Sequence, residues 1–163
     1  MIRNQNPAPD FSLHDHEGQQ QTLSELRGDK LMLLFYYRGE FCPTSRKGLM
    51  DFADIYSRFE SLGAELVAVS VDPPETSREL RDQLKLPFTL LSDTDFQVAQ
   101  SYGVYRSDDE DGPQPHGEPA VFIIDTDGKL AYSQVQTGPK GSGNPADLAL
   151  MLLYMRNNGG RYR

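Results

Sequence analysis

The chain has 163 residues, enough for one domain with its own core, and its 37% apolar content suits a globular rather than a disordered sequence. Acidic residues outnumber basic ones by 24 to 16, and the net charge of −8 excludes a general nucleic-acid or anionic-membrane surface, because phosphates demand a basic patch. A single cysteine excludes an intrachain disulfide, and a polar N-terminus without a long apolar run predicts a reducing, cytoplasmic setting with no membrane span.

In chain order, Phe11 and Leu13 alternate with polar neighbours as on a short half-buried strand, and Glu17-Gly18 marks a turn. Thr22 to Glu25 reads as a capping box before a short helix that Gly28 stops. Residues 31–37 form a continuous apolar run, the pattern of a strand buried on both faces. From Pro43 to about Ser61 the apolar period becomes helical, with Leu49, Met50, Phe52, Ala53, Tyr56 and Phe59 in step and Gly63 at the end. Pro43 suits the first helical turn, where its missing N–H costs nothing.

Residues 66–71 predict a second buried strand. Pro73-Pro74 breaks the chain, and Thr76 to Glu79 caps a helix running to about Leu84. A third strand covers 87–91, and Asp93 opens a short helix that Gly103 closes. The acidic, Gly- and Pro-containing segment 107–117 reads as a surface loop. Residues 120–125 and 129–135 flank Thr126-Asp127-Gly128, a hairpin signal. Asn144-Pro145 starts a last helix through about Arg156. Its Leu148, Leu150, Met151, Leu152, Leu153 and Met155 cover enough of its girth to offer a candidate dimer face. Strands alternating with helices, plus a late hairpin, predict an α/β fold over residues 1–163: a mixed sheet covered by helices on both faces, in three layers.

The chemistry concentrates at Cys42, where an apolar strand ends and a helix begins. A thiol with a pKa of about 8.5 is only a few per cent ionised at neutral pH, and lowering it to roughly 6 makes it mostly thiolate, the nucleophilic form. The helix N-terminus, Arg38 and Arg46 are the candidate causes, Arg46 by its four-residue spacing. The competing use of the thiol is as a small buried hydrophobe. Thr44 and Ser45 bring hydroxyls that suit either a hydrogen bond to the sulfur or plain helix capping. His14, His16 and His116 have no metal-ligand pattern and read as solvated surface residues, so no metal is expected. Asp72 after its strand reads as a turn or helix cap. The 108–111 acidic run lacks the alternating spacing of a calcium loop.

Four ordered segments carry a family resemblance: Pro7 to Leu13 with Glu17-Gly18 and Leu23 to Leu26; Phe41-Cys42-Pro43-Thr44 after a strand; Val67 to Asp72; and Pro119 to Gly128. Together they resemble the peroxiredoxins of the alkyl hydroperoxide reductase and thiol-specific antioxidant family, over most of the chain. The resemblance implies a single thioredoxin-like domain with an N-terminal β-hairpin extension. It also implies a proline beside the sulfur, cis in thioredoxin-like folds, at Glu118-Pro119. The family's peroxidatic pattern has Pro seven residues and Thr three residues before its cysteine, where this chain has Phe35 and Gly39, and an arginine where this chain has Pro119 or a neighbour. Cys42-Pro43-Thr44-Ser45 looks like a thioredoxin Cys-x-x-Cys site with its second thiol replaced by Ser45.

The activity implied is a cofactor-free thiol peroxidase of one-cysteine type. Cys42 would attack hydrogen peroxide or an alkyl hydroperoxide, Arg38 or Arg46 would hold the thiolate, and glutathione or a thioredoxin-like protein would restore it. Two rivals remain: a thiol–disulfide exchange protein that forms mixed disulfides at Cys42, and a non-enzymatic redox sensor or interaction module.

Overall fold

The computed structural model describes residues 3–108, 112–138 and 143–161. Its elements are β1 (Ser12–Asp15), β2 (Gln20–Thr22), α1 (Leu23–Arg27), β3 (Leu31–Tyr36), α2 (Pro43–Asp54), α3 (Tyr56–Ser61), β4 (Ala64–Ser70) and α4 (Pro74–Leu84). There follow β5 (Thr89–Ser92), α5 (Gln97–Tyr102), β6 (Arg106–Ser107), β7 (His116–Gly117), β8 (Ala120–Ile124), β9 (Leu130–Val135) and α6 (Pro145–Asn157).

Seven strands form one mixed sheet in the order β2-β1-β5-β4-β3-β8-β9, while β6 and β7 pair separately. The central β3 is parallel to β4 and antiparallel to β8. Side chains alternate across a pleated strand, and β3 shows the result. Leu31, Leu33 and Phe35 join Leu49, Phe52, Phe59, Leu80 and Leu152 in one apolar layer, which α2, α3, α4 and α6 cover. Met32, Leu34 and Tyr36 join Leu23, Val98, Tyr102 and Phe122 in the other, under α1 and α5. A strand buried on both faces explains the unbroken apolar run. The thioredoxin-like three-layer α/β arrangement is the expected one, with the β1–β2 hairpin joined to the main sheet through β5.

Two hairpins turn on one device. The Asp15 carboxylate accepts the backbone N–H groups of Glu17 and Gln19, and Asp125 accepts those of Asp127 and Lys129, each at 2.9 Å. Gly18 and Gly128 then take left-handed φ values of 80° and 81° that favour glycine.

Several boundaries depart from expectation. Thr22 precedes α1 without capping it, because its hydroxyl pairs with Ser12 at 2.7 Å; Asp10 takes the Ser24 N–H instead. The helix expected over 43–61 is two, broken at Ile55, whose φ of −116° and ψ of 15° leave the helical range. The Thr76–Glu79 capping box lies inside α4, which begins at Pro74 directly after the extended Pro73. Helix α5 starts at Gln97, and Asp93 reaches forward to accept the N–H groups of Val98 and Ala99. The acidic positions 109–111 lie outside the described residues. Among the described residues no helix is long and apolar enough to cross a membrane.

Candidate active site

The site sits at the carboxyl end of β3, and sheet register assembles it. Antiparallel pairing sets Tyr36 opposite Ala120, so two residues further on Arg38 stands opposite Glu118. Parallel pairing sets Tyr36 beside Val69, so three residues further on Gly39 stands beside Asp72. The open end of an α/β sheet is where ligands bind, and here three strand extensions converge on it.

Cys42 is the N-cap of α2, with extended φ and ψ of −98° and 116°, and its carbonyl accepts the first helical bond from Arg46 N–H at 3.0 Å. No side-chain hydrogen bond closes this cap. The residue is buried, at 3% exposure, yet its sulfur lies among donors. Arg38 Nη1 is 3.4 Å from Sγ. The Arg38 backbone N–H donates to Ser45 Oγ at 3.0 Å, which leaves the Ser45 hydroxyl hydrogen for the sulfur. Burial pushes the Cys42 thiol up, but the Arg38 guanidinium and the Ser45 amide and hydroxyl outweigh it and hold the thiol below its ordinary range.

Arg38 is held from its other side. Its Nε lies 3.0 Å from Glu118 Oε2, and its guanidinium carbon is 5.3 Å from the Phe41 ring centre. Glu118 Oε1 meets His116 Nε2 at 3.2 Å, and His116 Nδ1 meets the Gln114 carbonyl at 3.0 Å. His116 is fully buried, at 0% exposure, and stacks edge-on against Phe41 with ring centres 5.1 Å apart. The expectation of a solvated His116 is therefore wrong: two residues before a strand mouth, it is drawn inward by Glu118 and Phe41. His16 is buried too, with its Nδ1 3.4 Å from the Leu90 N–H; of the three histidines only His14 is exposed. No cluster of metal-ligating residues occurs among the described residues.

Gly39 answers a backbone demand. Its φ of 148° is one that side-chain-bearing residues rarely adopt. A Cβ there would stand 3.0 Å from both Asp72 Oδ1 and the Phe41 ring. Asp72 Oδ2 accepts the Glu40 N–H at 2.8 Å, which pins the turn. Burial raises the Asp72 carboxyl, and the Glu40 bond offsets that only in part.

The other expected residues divide. Thr44 is exposed on the first turn of α2. Arg46 does not face the sulfur. Its Nε donates to the Glu40 carbonyl at 2.6 Å, its Nη2 pairs with Glu40 Oε2 at 2.9 Å, and its Nη1 reaches Gln83. The four-residue rule fails because Cys42 is extended, so the helical face starts one residue later. Pro119 is buried but joined to Glu118 by a trans bond, since no cis peptide occurs among the described residues. The extended chain is held there by Glu118 N–H on the Tyr105 carbonyl at 2.7 Å and by Gln136 N–H on the Pro119 carbonyl at 2.9 Å. Sequence reasoning missed Glu118 and the inward His116. The signal that finds them is the strand register, which pairs Arg38 with Glu118.

Comparison with known proteins identifies the family and the fold. Residues 5–133 match the family model described as the AhpC/TSA family. Peroxiredoxin Bcp of Escherichia coli is 33% identical over 128 residues, covering 77% of this chain and 80% of that protein. The crystal structure of peroxidoxin BcpB from Mycobacterium tuberculosis superposes with a TM-score of 0.81 at 28% identity, over 94% of this chain and 97% of that one. A peroxiredoxin 6 of Arenicola marina shares the fold at a TM-score of 0.88 and 21% identity, over 98% of this chain and 76% of that one. The chain belongs to the AhpC/TSA family and is peroxiredoxin-like in sequence and fold.

Proposed function

We propose that this chain is a thiol peroxidase of one-cysteine type, working as a single thioredoxin-like domain with Cys42 as its nucleophile. The observation that carries the reading is the guanidinium of Arg38 at 3.4 Å from the sulfur, which favours a thiolate where a buried thiol would otherwise stay neutral. The thiolate attacks one peroxide oxygen; the S–O bond forms as the O–O bond breaks. Sulfur loses two electrons and becomes sulfenic acid, and the departing oxygen takes a proton and leaves as water or alcohol. Arg38, aimed at the sulfur, is also placed to stabilise charge developing on the peroxide.

The chain has one cysteine, so reduction comes from outside. An external thiol displaces water from the sulfenic acid to form a mixed disulfide, and a second thiol releases Cys42. Glutathione or a thioredoxin-like protein supplies such thiols in a reducing compartment. Ser45, bonded to the Arg38 backbone, supports the site without taking part in resolution. Pro119, buried directly before β8, is the supporting residue on the strand beside β3.

The test is mass spectrometry of Cys42 after brief, low-dose peroxide with dimedone present. A sulfenic acid adduct formed faster than on a free thiol is the expected result. Oxidation no faster than that of a free thiol, with rapid reaction toward a glutathione disulfide instead, replaces this reading with disulfide exchange.

A further inference from the structure

Arg38 serves two anions. Its Nε is on the Glu118 carboxylate at 3.0 Å and its Nη1 on the Cys42 sulfur at 3.4 Å. A guanidinium fully neutralised by a buried carboxylate would have little charge left for a thiolate. His116 changes that count. Its Nδ1 faces the Gln114 carbonyl, which can only accept, so Nδ1 carries a hydrogen. Its Nε2 faces Glu118 Oε1 at 3.2 Å, and a hydrogen must lie between those two atoms for the contact to be favourable. Whether that hydrogen is written on the ring or on the carboxyl, the His116–Glu118 pair holds one proton more than a neutral ring beside a carboxylate. Guanidinium, pair and thiolate then sum to zero in a pocket where an unbalanced charge is costly.

We propose that His116 and Glu118 are positioning residues that tune Cys42 through Arg38: the proton they share offsets the Glu118 charge and leaves the Arg38 charge to the sulfur. This rests on the thiolate being the reactive form, as in the proposed function. Glu118 fixes where the guanidinium points, and His116 fixes how much of its charge the sulfur receives.

Among the described residues, no other ion pairs with His116. Across β7, Arg106 and Asp108 are exposed and pair with each other at 2.9 Å. Tyr36, against Gly117, gives its hydroxyl to Asp93 at 2.8 Å. Asp72, beside Gly39, accepts the Glu40 N–H, and Arg46 pairs with Glu40. Among the described residues, the groups that face His116 are Glu118, the Gln114 carbonyl and the Phe41 ring.

The test measures the Cys42 thiolate absorbance and the peroxide rate constant against pH in the wild type, H116Q and the H116Q/E118Q double variant. In H116Q the amide still donates to Glu118 but brings no proton, so Glu118 is a full anion. In the double variant that anion is gone while Arg38 keeps an acceptor. On the acid limb, where the rate follows the thiolate fraction, H116Q reacts about tenfold more slowly than the wild type and the double variant about tenfold faster than H116Q. No slowing in H116Q, or no recovery in the double variant, overturns the proposal, since loss of a merely structural His116 is not rescued by a second substitution. NMR of the His116 ring nitrogens in the wild type gives a second reading that no variant's folding can obscure. A proton shared between Nε2 and Glu118 at neutral pH is expected; a bare Nε2 beside an ionised Glu118 overturns it. If the wild type forms no sulfenic acid, the peroxidase reading fails, while the thiolate shift in H116Q and its recovery in the double variant still decide the tuning.

Discussion

Helices α2 and α6 both begin on a proline, Pro43 and Pro145, and both follow a residue in the extended range. The residues before them do opposite things. Asn144 turns its side-chain oxygen back onto the Ala146 N–H at 2.9 Å, and the helix start is satisfied locally. Cys42 offers a sulfur in place of a capping oxygen, and the Ser45 amide at the start of α2 acts on that sulfur. One start is built for stability and the other gives up a cap to favour a thiolate. Arg38, Ser45, Glu118 and His116 are the surroundings that the second start acquires and the first lacks.

Replacing the sulfur by an ordinary cap removes the contrast altogether. Cys42→Ser abolishes the peroxide reaction, while thermal unfolding shows no loss of stability and a gain of up to about 1 kcal/mol, because serine is a good N-cap. A second route is Arg38→Met, which leaves Glu118 buried without its cation. Denaturant unfolding should register a loss of about 3 kcal/mol. The peroxide rate constant in the same variant falls about a hundredfold, as when one aligned donor is removed from a reacting centre.

Gly39→Thr sharpens the comparison from within the turn. It restores the residue that the family's peroxidatic pattern places three before the cysteine, yet the peroxide rate falls rather than rises. The substituted backbone is strained by about 2 kcal/mol, since φ is 148° and Asp72 and Phe41 occupy the space a Cβ needs. The smallest effect belongs to the other helix. Asn144→Ala lowers stability by about 1 kcal/mol and leaves the peroxide rate as it was.

Both helix starts are legible in the sequence because proline and the change of hydrophobic period are local signals. The same holds for β3, whose apolar run reports burial on two faces, and for the turns at Gly18 and Gly128. Features that depend on competition between partners are not legible. Thr22 has the residues of a capping box but spends its hydroxyl on Ser12. Arg46 has helical spacing to Cys42, but Cys42 is not yet helical, and Glu40 captures the guanidinium. His116 sits in a segment of acidic, Gly and Pro residues that reads as solvated. Its burial follows from a partner, Glu118, that reaches Arg38 only through the β3–β8 register. Long-range register is the link that residue-by-residue reading does not supply, and it carries the half of the site that lies beyond Cys42.

The central claim is that Arg38 and the start of α2 keep Cys42 ionised below the ordinary thiol range, despite its burial. A lowered folded value means that the thiolate and the stability it contributes are present above the unfolded thiol's value and are lost only as pH falls through the lower, folded one. The most direct measurement is the rate of Cys42 alkylation against pH in the wild type and in Arg38→Met. The account predicts a midpoint clearly below that of a free cysteine in the wild type, moving upward in the variant. A wild-type midpoint at or above that of free cysteine, unmoved by loss of Arg38, would contradict it.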